Sequence, residues 1–283
     1  MKKILIFAIS LAFFSCSEDD SNQNDIPQND QQTFEDYNDI NAFVTDLEKL
    51  SERSSDQVQN ASKNNNGACF TLELLVSNTE NPLPGFEDFD FYNKMIIDQT
   101  TDDCIFKDWG GKLEYYVAGI PNNKWKDSTV YKNVQYRDRR IYNGYRKSVL
   151  VPEMSNEEVQ VYDVLIFGTI QGLDGDIYDY ISVRNFEFRN RFTSDETITL
   201  KTGSSLISTT RPYSIYEDTL EGEPLIFKAN CFEGFNFLKY PVSGSQDFSS
   251  NFGINFNIDY GDGSCDKQAV LTPVGGEPIT IEL

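Results

Sequence analysis

The stretch Phe252-Gly253-Ile254-Asn255-Phe256-Asn257-Ile258-Asp259-Tyr260 is the part of the chain that best indicates how it folds. Its apolar residues fall at every second position, with glycine, asparagine or aspartate between them. A period of two is typical of a β-strand that turns one face to a core and the other to solvent. The turn residues Gly261-Asp262-Gly263 and Gly275-Gly276 separate this strand from two further apolar segments, at 269–272 and 279–283. We therefore predict a three-stranded antiparallel meander in this part of the chain.

Working back from the meander, short segments rich in β-branched and aromatic residues alternate with turn residues such as Gly110-Gly111 and Asn143-Gly144. Many short strands at this spacing favour a mostly antiparallel β fold, either of the β-sandwich type or an open barrel. We divide the fold into a first β region at 67–192 and a second at 193–283. The segments predicted as strands are 70–76, 91–97, 112–118, 129–136, 159–170, 177–192, 196–201, 205–210, 224–230 and 235–242.

A helical period is found only in the region 34–66. Apolar residues recur there every three or four positions, which predicts an amphipathic helix packed against the first sheet, followed by an asparagine-rich linker. The preceding residues, 16–33, have almost no apolar content and are predicted to be a disordered acidic tether. The apolar positions of the helix are Phe34, Tyr37, Ile40, Phe43, Val44, Leu47 and Leu50.

Composition excludes several functions. The 283 residues carry a formal charge of −21, and such a chain is repelled by phosphate backbones, so we expect no nucleic acid partner. The chain has no histidine, which removes Ser-His-Asp and Cys-His nucleophilic systems and the usual histidine-rich zinc sites. No cofactor is predicted. Carboxylate chemistry stays possible, because 45 acidic side chains are present.

Residues 1–15 have the pattern of a secretory signal peptide. Two lysines precede an apolar run from Ile4 to Phe14, which is too short to span a bilayer, and Ser15 stands directly before Cys16. The Ser15-Cys16 junction resembles the lipobox of bacterial lipoproteins, although Phe13 departs from the family's usual leucine. The resemblance implies that Cys16 is lipidated and that acyl chains hold the protein on a membrane. An ordinary signal peptide that contains a cysteine is the alternative.

The acidic residues after this cysteine suggest where the anchored protein is sent. The run Ser17, Glu18, Asp19 and Asp20 resembles the export signal of Bacteroidota, especially flavobacterial, surface lipoproteins. The resemblance implies an outer-membrane lipoprotein that faces the cell exterior. An ordinary solvated acidic linker is the alternative.

The other four cysteines are predicted to form disulfides, because an even number of cysteines outside the cell normally pairs. Three pairings are possible. We favour Cys69–Cys104 and Cys231–Cys265, which close loops of similar length (104 − 69 = 35 and 265 − 231 = 34). Buried free thiols are the alternative.

The segment Asp259-Tyr260-Gly261-Asp262-Gly263-Ser264-Cys265-Asp266, together with the preceding Pro241-Val242-Ser243-Gly244, resembles the C-terminal half of a group of flavobacterial lipoproteins. That group implies a hairpin and a disulfide partner for Cys265, but no activity. Asp259, Asp262 and Asp266 are weak candidates for a calcium site, and solvated turn carboxylates are the favoured interpretation.

With no recognisable catalytic motif, our leading hypothesis is a non-catalytic binding or envelope-accessory module whose partner is a glycan or an envelope protein. One alternative is a carboxylate-dependent glycan hydrolase, which needs two acids about 5–9.5 Å apart across a cleft. Another is a structural or adhesin protein, which an exposed apolar patch of several hundred Å² would favour. Trp109 and Trp125 are candidates for a sugar-stacking platform, although core packing is the commoner role of such residues.

Overall fold

The computed structural model of the protein describes most of the region after residue 69 and three residues before it. The described residues are 43, 44, 47, 70–98, 109–120, 124–136, 140–172, 175–191, 193–209, 214–219, 222–231, 240–251, 253 and 255–283.

Within the described residues, the fold is one antiparallel β-sheet of fourteen strands. Strands β1 to β8 form a meander in which each strand pairs with the next along the chain. This confirms the predicted mostly antiparallel β class. The strands are β1 Phe70–Ser77, β2 Phe91–Asp98, β3 Trp109–Ile120, β4 Lys124–Tyr136, β5 Arg140–Leu150, β6 Val159–Gln171, β7 Ile177–Arg189, β8 Thr197–Ser208, β9 Ser214–Thr219, β10 Leu225–Lys228, β11 Ser243–Ser250, β12 Asn255–Asp262, β13 Gln268–Pro273 and β14 Ile279–Glu282.

The C-terminal meander is confirmed. Ile258 on β12 pairs with Leu271 on β13, and Ala269 on β13 pairs with Ile281 on β14. The predicted alternation holds in β12, where Phe256, Ile258 and Tyr260 are buried. The strand continues through Asp262, so the chain reverses later than the glycines predict. Phe252 and Ile254 lie outside the described residues.

Strands β9 and β10 share one strand position in the sheet. Both lie between β8 and β11: β9 pairs with β8 at 203–207, and β10 pairs with β8 at 197–200. On its other edge β9 pairs with 246–250 of β11, whereas β10 pairs with β11 only through Ile226 and Ser243. We call this broken strand position the seam.

The inner face of the sheet holds the main core. Its buried side chains come from strands as far apart as β2 and β13 and belong to one cluster. A flat sheet would leave this face in water, so the sheet folds over on itself, which is a sandwich-like arrangement. The cluster runs without interruption across residue 193, since β7 and β8 pair along twelve residues there. The division into two β regions stays a prediction.

Three residues of the predicted N-terminal helix are described. Phe43, Val44 and Leu47 are helical and at most 6% exposed, and they belong to the main core. The hydroxyl of Tyr131 on β4 donates a hydrogen bond to the Leu47 carbonyl, at 3.2 Å. The rest of that helix, the linker and the tether lie outside the described residues.

Candidate functional site

A loop of the chain covers part of the outer face of the sheet. Residues 78–90 place Phe86 and Phe89 on Tyr92 of β2 and Ala118 of β3, and all four side chains are buried. The amide of Asn78 holds the loop closed by donating to the carbonyls of Phe86 and Phe89, at 2.9 and 3.1 Å. The outer face of β2 and β3 is therefore a second, small apolar core.

Over β5 to β9 the same outer face carries exposed apolar side chains. Tyr145, Phe167, Ile181, Ser205 and Tyr216 lie directly opposite one another on successive strands, so they form one row across the sheet. A parallel row contains Leu165 and Val183, and Val183 is 60% exposed. We call these side chains the apolar outer patch; its members are Tyr145, Leu165, Phe167, Ile181, Val183, Ile207 and Tyr216.

Sequence reasoning missed this patch because the apolar residues of β7 do not keep to one face. Ile181 and Val183 stand at odd positions, whereas Phe186 and Phe188 stand at even positions. In the structure the first two side chains point outward and are exposed, whereas the two phenylalanines point into the core. The sequence does indicate apolar residues on the outer face of β6. Residues 164–167 are four successive apolar residues, so two of them must lie on each face of the sheet.

The inner face of the sheet also contains buried, hydrogen-bonded polar side chains. On the inner face of β4 and β5, the Arg146 guanidinium donates a hydrogen bond to the Asp127 carboxylate at 2.7 Å, and both side chains are buried. Burial raises the pKa of Asp127, against the lowering effect of Arg146. On β7, Arg184 donates to the hydroxyls of Ser182 and Tyr180, at 2.9 and 3.1 Å.

The polar groups on the inner face continue into the seam, where β9 carries a buried acid. Glu217 on β9 is 4% exposed and accepts a hydrogen bond from the amide of Gln246, while Tyr260 donates to the same amide's oxygen at 2.6 Å. Among the described residues and their contacts, Glu217 Oε2 has no hydrogen-bond partner. Burial, and secondarily the negative charge of Asp218, raise the pKa of Glu217 to about 8. This carboxyl is therefore largely protonated at neutral pH.

The carboxylates of the candidate calcium ligands accept hydrogen bonds within the turns to which they belong. Asp259 accepts from the Gly261 amide at 2.8 Å, and Asp262 accepts from the amide and the hydroxyl of Ser264, at 3.1 and 2.6 Å. The carboxylate of Asp266 accepts from a main-chain amide two residues later, at 3.1 Å. In the part of the chain that is described, no group of three such residues could hold a metal ion.

The disulfide Cys231–Cys265 is confirmed, with a Cα–Cα distance of 5.1 Å. It joins the residues after β10 to the turn after β12, where Lys228 also donates to the Gly263 carbonyl at 2.8 Å. The other predicted pair, Cys69 and Cys104, lies outside the described residues. The same holds for the lipidation site Cys16 and the export residues 17–20, and all of these stay predictions.

The side chain of Trp125 is half-buried, packs against the main core and donates to Asp127 at 3.4 Å, whereas that of Trp109 is outside the described set. None of the helical residues that the structure describes forms a helix long and apolar enough to cross a membrane.

No protein-family model, curated protein or solved structure matches this chain.

Proposed function

We propose that this protein is a surface-anchored, non-catalytic module that binds a partner protein through its apolar outer patch. The patch is the observation that carries the proposal. Two phenylalanines of the loop cover the neighbouring part of the same face, whereas six apolar side chains over β5 to β9 are at least 37% exposed and Leu165 is half-buried. Exposed apolar surface of this kind marks contact sites in soluble domains.

The chemistry of the patch favours a protein over a glycan. Sugars are bound by aromatic faces together with well-placed hydrogen-bonding groups, whereas the centre of the patch is aliphatic: Leu165, Ile181 and Val183. The rings of Tyr145 and Phe167 are 5.7 Å apart and tilted by 37°, so they do not form one flat platform. An apolar surface with aromatic anchors is typical of the core of a protein interface.

The proposal also includes a membrane anchor at the N-terminal end of the mature protein. Acyl chains on Cys16 would hold the protein on the outer membrane, with residues 17–20 directing it to the cell exterior and residues 16–33 acting as a tether. A tether of 18 residues spans at most about 60 Å when fully extended, so the patch would reach neighbours on the same membrane.

The proposal is tested by site-specific photocrosslinking in intact cells that make the protein. A photoreactive phenylalanine analogue is placed at Val183, in the patch, and at Thr199, a position of the same outer face that lies beyond it. We expect a crosslinked adduct from position 183 and none from position 199. Equal crosslinking at the two positions, or none at either, would overturn the proposal.

The hydrolase alternative receives less support. Its acid must combine a raised pKa with access to substrate. Glu217 has the raised pKa, but its side chain is 4% exposed and hydrogen-bonded within the core. A polysaccharide therefore cannot reach it in this conformation.

A further inference from the structure

We propose that β9 is a pH-responsive element of the sheet: it detaches from β8 and β11 while the other strands stay paired, and it releases the proton of Glu217 when it does so. Three features of the structure point to β9. It is separated from β10 at the seam, it places few apolar side chains in the core, and it carries a buried acid at its centre.

The seam allows β9 to move without β10. β9 pairs with β8 at 203–207 and with β11 at 246–250, whereas β10 pairs with β8 at 197–200. Between the two, the Thr202 amide of β8 donates to the side-chain oxygen of Thr219 at 3.3 Å, so a side chain replaces the main-chain ladder at this point. The opening of one half of the broken strand position therefore does not require the other half to open.

The apolar contacts of the two halves differ. All six residues of β9 are described, and Ile215 is the one that belongs to the main core. β10 contributes Leu225 and Phe227 from four residues, and the disulfide at Cys231 holds the chain shortly after it. Segments with few buried apolar contacts open at a lower free energy than the rest of a domain. β9 is therefore the half of the seam that opens first.

The groups around Glu217 suit a neutral carboxyl and not a charged one. Ser204 on β8 and Phe248 on β11 lie directly opposite it, and the Gln246 amide donates to its Oε1. Oε2 has no hydrogen-bond partner among the described residues. A buried carboxylate needs a cation or several donors to remain charged. Glu217 therefore keeps its proton as long as β9 stays in place.

The titratable and charged groups of the neighbouring strands do not offset this. β8 and β11 place no such group on the inner face beside Glu217, in the residues described for them. Burial and then the negative charge of Asp218 raise the pKa of Glu217 to about 8. On β12, burial and then Glu217 raise the pKa of Tyr260, which stays neutral. Arg184 lies two strands away on β7, where its guanidinium donates to Ser182.

The sign of the pH effect follows from these two states. In the detached strand the carboxyl meets water and returns to its ordinary pKa of 4.5, whereas in the paired strand the value is about 8. Between pH 4.5 and pH 8 the opening equilibrium therefore rises about tenfold for each unit of pH, and above pH 8 it levels off. One consequence rests on the proposed function: β9 also carries Tyr216, so its opening removes one end of the apolar outer patch.

The test is hydrogen exchange of the full chain, followed by mass spectrometry of peptides from β7, β9 and β10 at pH 5.5, 6.5 and 7.5. Three proteins are compared: the native chain, Glu217→Gln and Asp218→Asn. The native rate is divided by the variant rate at the same pH, so the intrinsic pH dependence of exchange cancels. Near-ultraviolet circular dichroism confirms that each variant is folded. Asp218→Asn is the matched control, because it removes a charge from the same strand but keeps the buried acid.

For β9 we expect the ratio of native to Glu217→Gln exchange rates to rise about tenfold per pH unit, or about a hundredfold from pH 5.5 to pH 7.5. Asp218→Asn should keep most of this pH dependence. In the native chain, β9 should also exchange faster than β7 and β10. A ratio that does not change with pH would overturn the proposal, and so would one common exchange rate for all three strands, because opening would then be global. No partner takes part in this experiment, so its failure leaves the proposed function standing, and the photocrosslinking result does not affect it.

Discussion

Replacing Glu217 by glutamine should make the protein more stable at alkaline pH and leave it nearly unchanged in acid. The carboxyl is buried, and its pKa is raised from 4.5 to about 8. Between these two values the unfolded chain has released the proton that the folded chain keeps. The free energy of unfolding must therefore fall as pH rises through this window and level off above it.

The size of the effect follows from the two pKa values. The window spans 8 − 4.5 = 3.5 units, and each unit is worth about 1.4 kcal/mol, so the native protein should lose about 5 kcal/mol between pH 4.5 and pH 8 through this group alone. A glutamine at this position keeps the hydrogen bond from Gln246, because its amide oxygen can accept where Glu217 Oε1 accepts. The variant should then lack this part of the pH dependence.

The assay is urea unfolding at pH 5, 6, 7 and 8.5, with the free energy of the variant compared with that of the native protein at each pH. Other acids, including Asp127, are common to both proteins and cancel in the difference. We expect a difference near zero at pH 5 and a gain of several kcal/mol for Glu217→Gln at pH 8.5. Glu282→Gln, which changes an exposed acid on β14, serves as the matched control. The same difference at every pH would show that Glu217 is ionised in the folded protein and would refute the reasoning.

Three further changes have defined outcomes. Asp127→Ala leaves the buried Arg146 guanidinium without its carboxylate and should lower the free energy of unfolding by about 3–5 kcal/mol in urea titrations; much of this should return when Arg146→Met is added. Replacing Cys231 and Cys265 by serine opens a loop of sequence separation 34 and should cost about 3–4 kcal/mol, whereas a loss below 1 kcal/mol would contradict the loop-closure argument. Gly144→Ala would set a Cβ 2.3 Å from a main-chain carbonyl oxygen on β6, so the substitution should lower the free energy of unfolding by at least about 2 kcal/mol. The loss should appear as a lower melting temperature. An unchanged melting temperature would show that β5 and β6 can move apart freely.

Sequence patterns predict the strands well where β-branched, aromatic and other apolar residues dominate a segment. The segments at 91–97, 159–170 and 269–272 each lie within an observed strand, and the three-stranded end of the chain has the predicted order. Turn residues bound these segments, so they can be recognised as strands from the sequence alone even where both faces carry apolar side chains.

Turn signals mislead where glycine has a packing role. Asn143-Gly144 is predicted as a turn but lies in the middle of β5. The glycine is needed there because the Tyr142 side chain crosses to β6, where its hydroxyl donates to the Phe167 carbonyl at 3.0 Å, and a Cβ on Gly144 would stand 2.6 Å from that hydroxyl. The segments 196–201 and 205–210 are likewise one strand, β8, that continues through Gly203.

Two strands that carry buried polar groups, β9 and β11, could not be recognised. β11 has the sequence SGSQDFSS, in which the inward-facing Gln246 looks as polar as the outward-facing Asp247. β9 is similar, since the inward-facing Glu217 stands beside Asp218. The predicted strand at 235–242 is wrong at its end, since residues 240–242 are not in a strand, and its other residues lie outside the described set. Burial of polar side chains by hydrogen bonds depends on partners from distant strands, which a local pattern does not contain.

The seam has a consequence for how the sheet is assembled. Pairs on either side of it are close in the chain: Gln246 and Thr219 are 246 − 219 = 27 residues apart, and Lys228 and Thr197 are 228 − 197 = 31 apart. A large antiparallel sheet usually folds slowly because its pairings are remote, but here nearly every pairing joins consecutive strands. The sheet can therefore grow strand by strand as the chain emerges from a ribosome or a translocation pore. Only the pairing at the seam is delayed, because the second edges of β9 and β10 pair with β11, which is synthesised later.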